Sequence, residues 1–174
     1  MRDAQPELIR LGGGDPFAQV LAKAEAHQRD HRCGLFPAGA AVMQLAAMFV
    51  RAAAAGTVLD LGCGIGYSTL WLASPAGDGA RVIGIDDDPD HIAIARRAAR
   101  RSRVGGRIEF VCGTVIDVLS DMRGPVDAIH DDAWFATPPD HLEAMIALLR
   151  PGGLLTMPNW FLLVDAIAYA ELLA

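Results

Sequence analysis

The chain has 174 residues, 52% of them apolar and 6% aromatic, enough for one domain with a substantial core. Its net charge of -6 argues against binding nucleic acid through bulk charge. No apolar run approaches the roughly 20 residues that cross a bilayer, and residues 1–10 carry charge and Pro6 where a secretory signal is apolar. Cys33, Cys63 and Cys112 are few, odd in number and without a CxxC pair, which fits the reducing cytoplasm better than a disulfide framework or a zinc site.

The predicted elements begin with two helices. Asp15-Pro16 supplies an N-cap and a proline at the first helical position, and helical spacing then runs over 17–29. Cys33-Gly34-Leu35-Phe36-Pro37 is a break, followed by an almost wholly apolar helix over 38–55. From Gly56 the pattern alternates. Short apolar strands are expected at 57–61, 81–86, 108–112, 126–131 and 153–157, each of the kind buried on both faces of a parallel sheet. Helices fall between them near 67–74, 89–102, 114–121 and 138–149. Asp88-Pro89 opens the second of these and Gly105-Gly106 ends it. The fold class is therefore α/β, a doubly wound and mostly parallel sheet in a single domain over 1–174, with a helical N-terminal segment over 1–55 and the α/β core over 56–174.

The most informative stretch runs from Thr57 to Ser68. Val58-Leu59-Asp60-Leu61 is a strand that ends in Gly62-Cys63-Gly64-Ile65-Gly66, and a helix follows from Tyr67. This strand, tight turn and helix N-terminus let backbone approach a nucleotide-like ligand closely. Asp86 closes the next strand 20 residues beyond Gly66, where an acid can accept hydrogen bonds from ribose hydroxyls. The glycines read G-x-G-x-G and follow a carboxylate, Asp60. A dinucleotide brings a pyrophosphate to the helix N-terminus, and a carboxylate there would repel it. S-adenosylmethionine carries no phosphate but has an ammonium and a sulfonium, so Asp60 acts as a counter-charge, through the amino group or an ordered water. The alternative, a purely structural turn, gives no reason for two flanking acids.

This D-x-G-x-G-x-G pattern resembles the first motif of class I S-adenosylmethionine-dependent methyltransferases. The order of segments from about Leu35 to Asn159 is similar to the small O-methyltransferases of the catechol and caffeoyl-coenzyme A type. Leu35-Phe36-Pro37 resembles their substrate-side entry segment, residues 59–73 their donor loop, and Ile85-Asp86-Asp87-Asp88-Pro89 their second-strand acid followed by proline. The resemblance implies that Asp86 holds the ribose hydroxyls with Asp87 beside the adenine. It implies that Gly62, Cys63, Gly64 and Gly66 line the methionine part, that Tyr67 and Ser68 open the helix onto the donor, and that Gly113 and Thr114 edge the adenine. Thr114 stands where an acid is often seen, and its alternative role is a plain N-cap.

The acceptor end carries the departures. The fourth strand ends in His130-Asp131-Asp132, where Asp131 adjoins the donor and Asp132 corresponds to a divalent-ion carboxylate of the relatives. Asn159 corresponds to a second ligand, but Pro158 and Phe135 stand where those enzymes have a carboxylate and a lysine. A hard cation such as magnesium wants several oxygens, so transfer without metal is the favoured expectation and magnesium dependence the alternative. His130 or His141 then takes the hydroxyl proton, the competing role for His130 being a strand histidine satisfied by a neighbour. Trp134, Phe135 and Trp160 are candidates for an apolar acceptor pocket.

The expected activity is methylation of a small-molecule oxygen. The alternatives are a donor-binding sensor or subunit without catalysis, and an RNA methyltransferase using the arginines at 96, 97, 100, 101, 103 and 107. Those arginines read first as the solvated face of a helix that packs through Ile92, Ala95 and Ala99. Residues 160–174 predict a helix only, so the antiparallel strand pair that closes the sheet in relatives is expected to be absent or replaced by a second copy in a homodimer.

Overall fold

The computed structural model describes residues 13–31, 33–77, 79–133 and 138–158. Among the described residues two helices come first, α1 (Ala18–His31) and α2 (Ala40–Ala52), and the alternating core follows as β1 (Thr57–Leu61), α3 (Tyr67–Ala73), β2 (Arg81–Asp86), α4 (Pro89–Arg100), β3 (Ile108–Cys112), α5 (Val115–Asp121), β4 (Val126–Asp131), α6 (Pro139–Leu148) and β5 (Leu149–Thr156). The sheet order is β3-β2-β1-β4-β5 with every neighbouring pair parallel. Strand order reverses between β1 and β4, and a doubly wound sheet binds its ligand beyond the carboxyl ends at such a reversal.

The alternation of side chains along the strands sorts the core into two layers. Val58, Val82 and Ala128 pack with Met43, Val50, Trp71 and Leu72 beneath α2 and α3. Leu59, Leu61, Ile83, Ile85 and Ile129 pack on the other face with Leu119, Leu142 and Met145 of α5 and α6. Helix α4 seals the β3 end through Ile92, Ala95 and Ala99 against Phe110. Among the described residues no helix is long and apolar enough to cross a membrane.

The first four strands lie at the bounds their punctuation predicts; the fifth begins earlier. Leu149 already pairs with Val126 before Pro151-Gly152-Gly153, and the register resumes at Ala128 opposite Leu154. The turn residues are thus absorbed as an irregularity within the strand rather than separating it from α6. At the other end, Asp15 accepts from the Phe17 N–H at 2.8 Å, but the helix itself opens at Ala18. Asp88 caps α4 as expected, Oδ1 accepting from the Asp90 and His91 N–H groups at 2.8 and 3.3 Å.

One surface carboxylate joins three strands. Asp127 Oδ2 accepts from the N–H groups of Gly56 and Thr57 at 2.9 and 2.8 Å, and Oδ1 from Arg150 Nε at 2.7 Å. The Thr57 N–H first, then Arg150, hold its pKa below the usual carboxylate range. Asp127→Ala is expected to cost about 2 kcal/mol in urea unfolding at pH 7. Because the folded-state pKa is depressed, the contribution is full above the unfolded value and is lost as pH falls through the folded one. The gap between the two proteins should therefore close below about pH 4.

Candidate active site

Three chain ends converge at the strand reversal. The Gly62 and Cys63 N–H groups both donate to Ile85 O at 2.9 Å, and the Asp132 N–H donates to Leu61 O at 3.0 Å. These bonds carry the β1 turn across the end of β2 and draw the exit of β4 alongside. The turn closes tightly because its glycines lie in the left-handed region. Gly62 has φ 75°, and a Cβ there would stand 2.5 Å from Ala133 Cα. Gly66 has φ 90° at the N-cap of α3, and its Cβ would meet Ala95 Cβ at 3.0 Å. No L side chain suits either position.

The convergence leaves a cavity of about 380 Å3, within the range of small-ligand sites. Gly62, Cys63, Tyr67 and Ser68 form one wall, Asp86, Asp87, Asp88 and His91 a second, and Thr114 with Asp132 and Ala133 a third, while residues 33–38 complete the lining. Asp86 accepts three hydrogen bonds. Its Oδ2 accepts from the Gly64 N–H at 2.8 Å, and its Oδ1 from the Asp88 N–H at 3.1 Å and from His91 Nδ1 at 3.0 Å. The hydrogen bond that Asp86 accepts is the main reason the His91 pKa is pushed up to about 9.

Asp60 occupies a different place from the glycines it precedes. It is fully buried under the turn, where Oδ2 accepts from Ser68 Oγ at 2.8 Å and Thr69 Oγ1 at 2.5 Å, while Oδ1 has no hydrogen-bond partner. Burial pushes its pKa up to about 6 against the opposing pull of the two hydroxyls. It anchors the first turn of α3 from below and is not part of the cavity wall. Ser68 accordingly spends its hydroxyl inward. Tyr67 donates to Asp15 Oδ2 at 2.9 Å, and burial raises its phenol. Thr114 caps α5, accepting from the Asp117 N–H at 3.3 Å and donating to Asp117 Oδ2 at 2.6 Å. Its N-cap role and its place in the cavity wall coexist. Burial also raises the Cys63 thiol well above its ordinary value. Gly113 donates its N–H to Asp86 O at 3.0 Å and so ties the Thr114 loop to the acid.

The strand-end cluster divides. His130 shares a face with Asp60, is 2% exposed, and pairs through Nδ1 with Thr156 Oγ1 at 2.8 Å. It is not in the cavity wall, so the fold does not bring the expected proton acceptor to the site: strand alternation turns it into the α2/α3 layer, where Thr156 pairs with Nδ1 while Nε2 is buried without a hydrogen bond. His141 is likewise buried, on α6, and outside the wall. Asp131 points to the opposite face, 3% exposed, with Oδ1 accepting from the Ala133 N–H at 3.3 Å. Asp132 alone of the three reaches the cavity. Trp134, Phe135, Asn159 and Trp160 lie outside the described residues. The described residues at this end thus offer magnesium one carboxylate, which by itself does not fit a hard cation that takes several oxygens.

Burial pushes the His130 pKa down to about 4. A histidine kept neutral in the fold favours it fully above the unfolded value near 6.5, and the benefit falls away as the pH drops towards 4. Between pH 6.5 and 5 this amounts to about 2 kcal/mol. Urea unfolding across that interval should show this slope in the native protein and a shallower one in His130→Gln.

Sequence reasoning assigned no site role to His91, to Asp15, read as a helix cap, or to Cys33, read as part of a break. The signal for His91 was its position three residues after a helix cap and five after Asp86, which turns its ring back over the strand end. The other two approach only through tertiary packing of the N-terminal segment. The arginines also part company: Arg96 donates to Phe110 O at 2.8 Å and Arg107 to Ala76 O at 2.9 Å, so two of the six are backbone struts.

Residues 58–153 match the family model described as a methyltransferase domain. The chain is 32% identical over 151 residues to a catechol O-methyltransferase of Mycobacterium tuberculosis, covering 86% of this chain and 67% of that protein. It is 31% identical over 109 residues to a catechol O-methyltransferase of Niastella koreensis, covering 60% of this chain and 49% of the relative. The chain thus spans about two thirds of the one relative and half of the other. The O-methyltransferase TomG of Streptomyces achromogenes, solved with S-adenosylmethionine, superposes with a TM-score of 0.74 at 25% identity, covering 82% of this chain and 66% of that one. With its glycine turn, its second-strand acid and its parallel sheet, the chain belongs to the class I S-adenosylmethionine-dependent methyltransferases, among the small O-methyltransferases of the catechol type.

Proposed function

We propose that this chain moves a methyl group from S-adenosylmethionine to a hydroxyl oxygen of a small molecule. The observation that carries the reading is the cavity at the strand reversal, with Asp86 on one wall and Asp132 on the opposite side of the glycine turn. Asp86 binds the ribose hydroxyls, Asp87 and Thr114 flank the adenine, and the turn at 62–66 receives the methionine part. Asp60 contributes negative charge from beneath the turn. The acceptor enters past residues 33–38, and Asp132 orients its hydroxyl and takes the proton as the oxygen attacks.

Methyl transfer is an in-line displacement at a sulfonium, so holding donor and acceptor aligned supplies much of the acceleration. An oxygen lone pair forms the new bond to the methyl carbon, the C–S bonding pair stays on sulfur so that the sulfonium becomes a neutral thioether, and the acceptor proton goes to the carboxylate. The protein's task is alignment, exclusion of water and acceptance of that proton.

Calorimetric titration with S-adenosylmethionine and its demethylated product tests the donor site; binding of neither would end the proposal. Turnover of a catechol panel, with and without magnesium and with chelator, tests the reaction. Donor binding with every acceptor inert would favour a sensor or subunit, a reading motivated by Phe135 and Pro158 in place of the lysine and carboxylate of related enzymes. Label appearing in bulk RNA would favour the arginine face instead.

The three cysteines are unpaired, which supports a cytoplasmic setting. A homodimer is supported by an exposed stripe on α2, where Val42, Leu45, Met48 and Phe49 share the face opposite the buried one. Light scattering should report twice the chain mass, reduced to one by Leu45→Glu with Phe49→Glu.

A further inference from the structure

A cluster of metal-ligating side chains lies in the wall between the cavity and the N-terminal helix. His27 stands on α1, Cys33 in the segment after it, and His91 in the first turn of α4, and one ligand atom from each lies within 4.8 Å of the others. These are a thiol and two imidazoles, the donor set of borderline-soft ions such as zinc rather than of magnesium or calcium.

His91 carries the second observation. Its Nδ1 donates to Asp86 Oδ1 at 3.0 Å, a bond that fixes the ring and its tautomer. Its Nε2 is buried and has no hydrogen-bond partner, and the residue is 6% exposed. The nearest carboxylate oxygen, Asp88 Oδ2, stands 3.6 Å away, beyond hydrogen-bond reach. A buried, unpartnered ring nitrogen costs free energy unless something bonds to it. A carboxylate on one ring nitrogen with the other left to a metal is the usual arrangement of a ligating histidine.

We propose that His27, Cys33 and His91 bind a zinc-class transition ion, with Asp88 Oδ2 the carboxylate in reach as a fourth ligand, and that the ion clasps α1 to the rim of the donor cavity. A tetrahedral ion with Zn–N about 2.0–2.1 Å and Zn–S about 2.3 Å sets its ligand atoms roughly 3.3–3.6 Å apart, so closure draws the three side chains in by about 1 Å. The clasp has a mechanical consequence. Ala24 is the one fully buried residue of α1, with Val20 and Leu21 only partly buried against the core, and a metal bridge to α4 adds a fixed point. The ion takes the place of a proton on His91 Nε2 and of the thiol proton on Cys33. Cysteine spacing alone argued against zinc because the ligands come from three separate segments, which no local motif records.

The test uses the tag-free full chain, stripped with chelator and titrated with zinc by calorimetry and with cobalt by visible absorption. One zinc per chain is expected, with a cobalt spectrum showing tetrahedral d–d bands and thiolate-to-metal charge transfer. Cys33→Ser should abolish the charge-transfer band and weaken zinc binding at least about 10-fold, as removal of a ligand does no less than removal of its support. His27→Gln, at a half-exposed position, should weaken zinc similarly without disturbing the core, and so covers the case in which His91→Asn fails to fold. Cys112→Ser, which alters an exposed thiol outside the cluster, should change neither readout. Absence of zinc binding, or binding unaffected by Cys33→Ser and His27→Gln, or binding lost in Cys112→Ser, would overturn the proposal. Neither readout involves donor or acceptor, so the outcome is independent of the proposed reaction.

Discussion

Asp86→Ala is expected to weaken S-adenosylmethionine binding about 100-fold, the equivalent of roughly 3 kcal/mol. A ribose offers two hydroxyls to this carboxylate, and hydrogen bonds to a charged group are worth about 1.5–3 kcal/mol each. The alanine also releases the Gly64 N–H and His91 Nδ1, the two groups through which the acid ties the glycine turn to α4. Asp86→Asn keeps one accepting oxygen and should lose about 10-fold. Calorimetry with the donor and with its demethylated product measures both variants. Equal binding by the native protein and Asp86→Ala would remove this residue from the donor site. Thermal unfolding run alongside separates loss of a contact from loss of the fold.

Asp132→Ala is expected to lower turnover by about 100-fold or more while donor affinity stays within a small factor, because a positioned proton acceptor is worth roughly 100- to 10,000-fold. The residue reaches the cavity from the exit of β4, held there by its N–H bond to Leu61 O. That backbone bond survives the substitution, so the strand end keeps its place. The discriminating measurement is the pair of constants, turnover and donor Kd, on one preparation. An equal loss in both would mean that Asp132 shapes the donor cavity rather than serving the acceptor. Unchanged turnover would assign proton removal elsewhere, with solvent as the remaining acceptor.

Legibility varied with the range of the signal. The bounds of β1 to β4 coincide with those read from apolar runs and their Gly, Pro and Asp punctuation. The glycine turn and Asp86 were equally plain, since three left-handed residues after a strand admit few alternatives to glycine. The start of β5 was not, because Leu149 pairs with β4 ahead of a Pro-Gly-Gly turn that locally reads as a break. The fate of Asp60 was half visible. Its charge near the turn could be read, but its commitment to the Ser68 and Thr69 hydroxyls depends on how α3 settles over the strand.

His130, Asp131 and Asp132 show the boundary most clearly. Three adjacent polar residues at a strand end are interchangeable candidates in a linear reading. The sheet assigns them three environments: the α2/α3 layer, the α5/α6 layer, and the cavity beyond the last strand bond.

Taken alone, the sequence determined the α/β class, the cofactor and the second-strand acid proposed to meet its ribose, because those depend on periodicity and on backbone conformations that few residues tolerate. Tertiary structure alone decided which of the neighbouring acids and histidines reach the cavity, and brought His27, Cys33 and His91 together. Side-chain direction at a strand end follows from register and from the helix packed above it, and contacts between distant segments exist only once the chain has closed on itself.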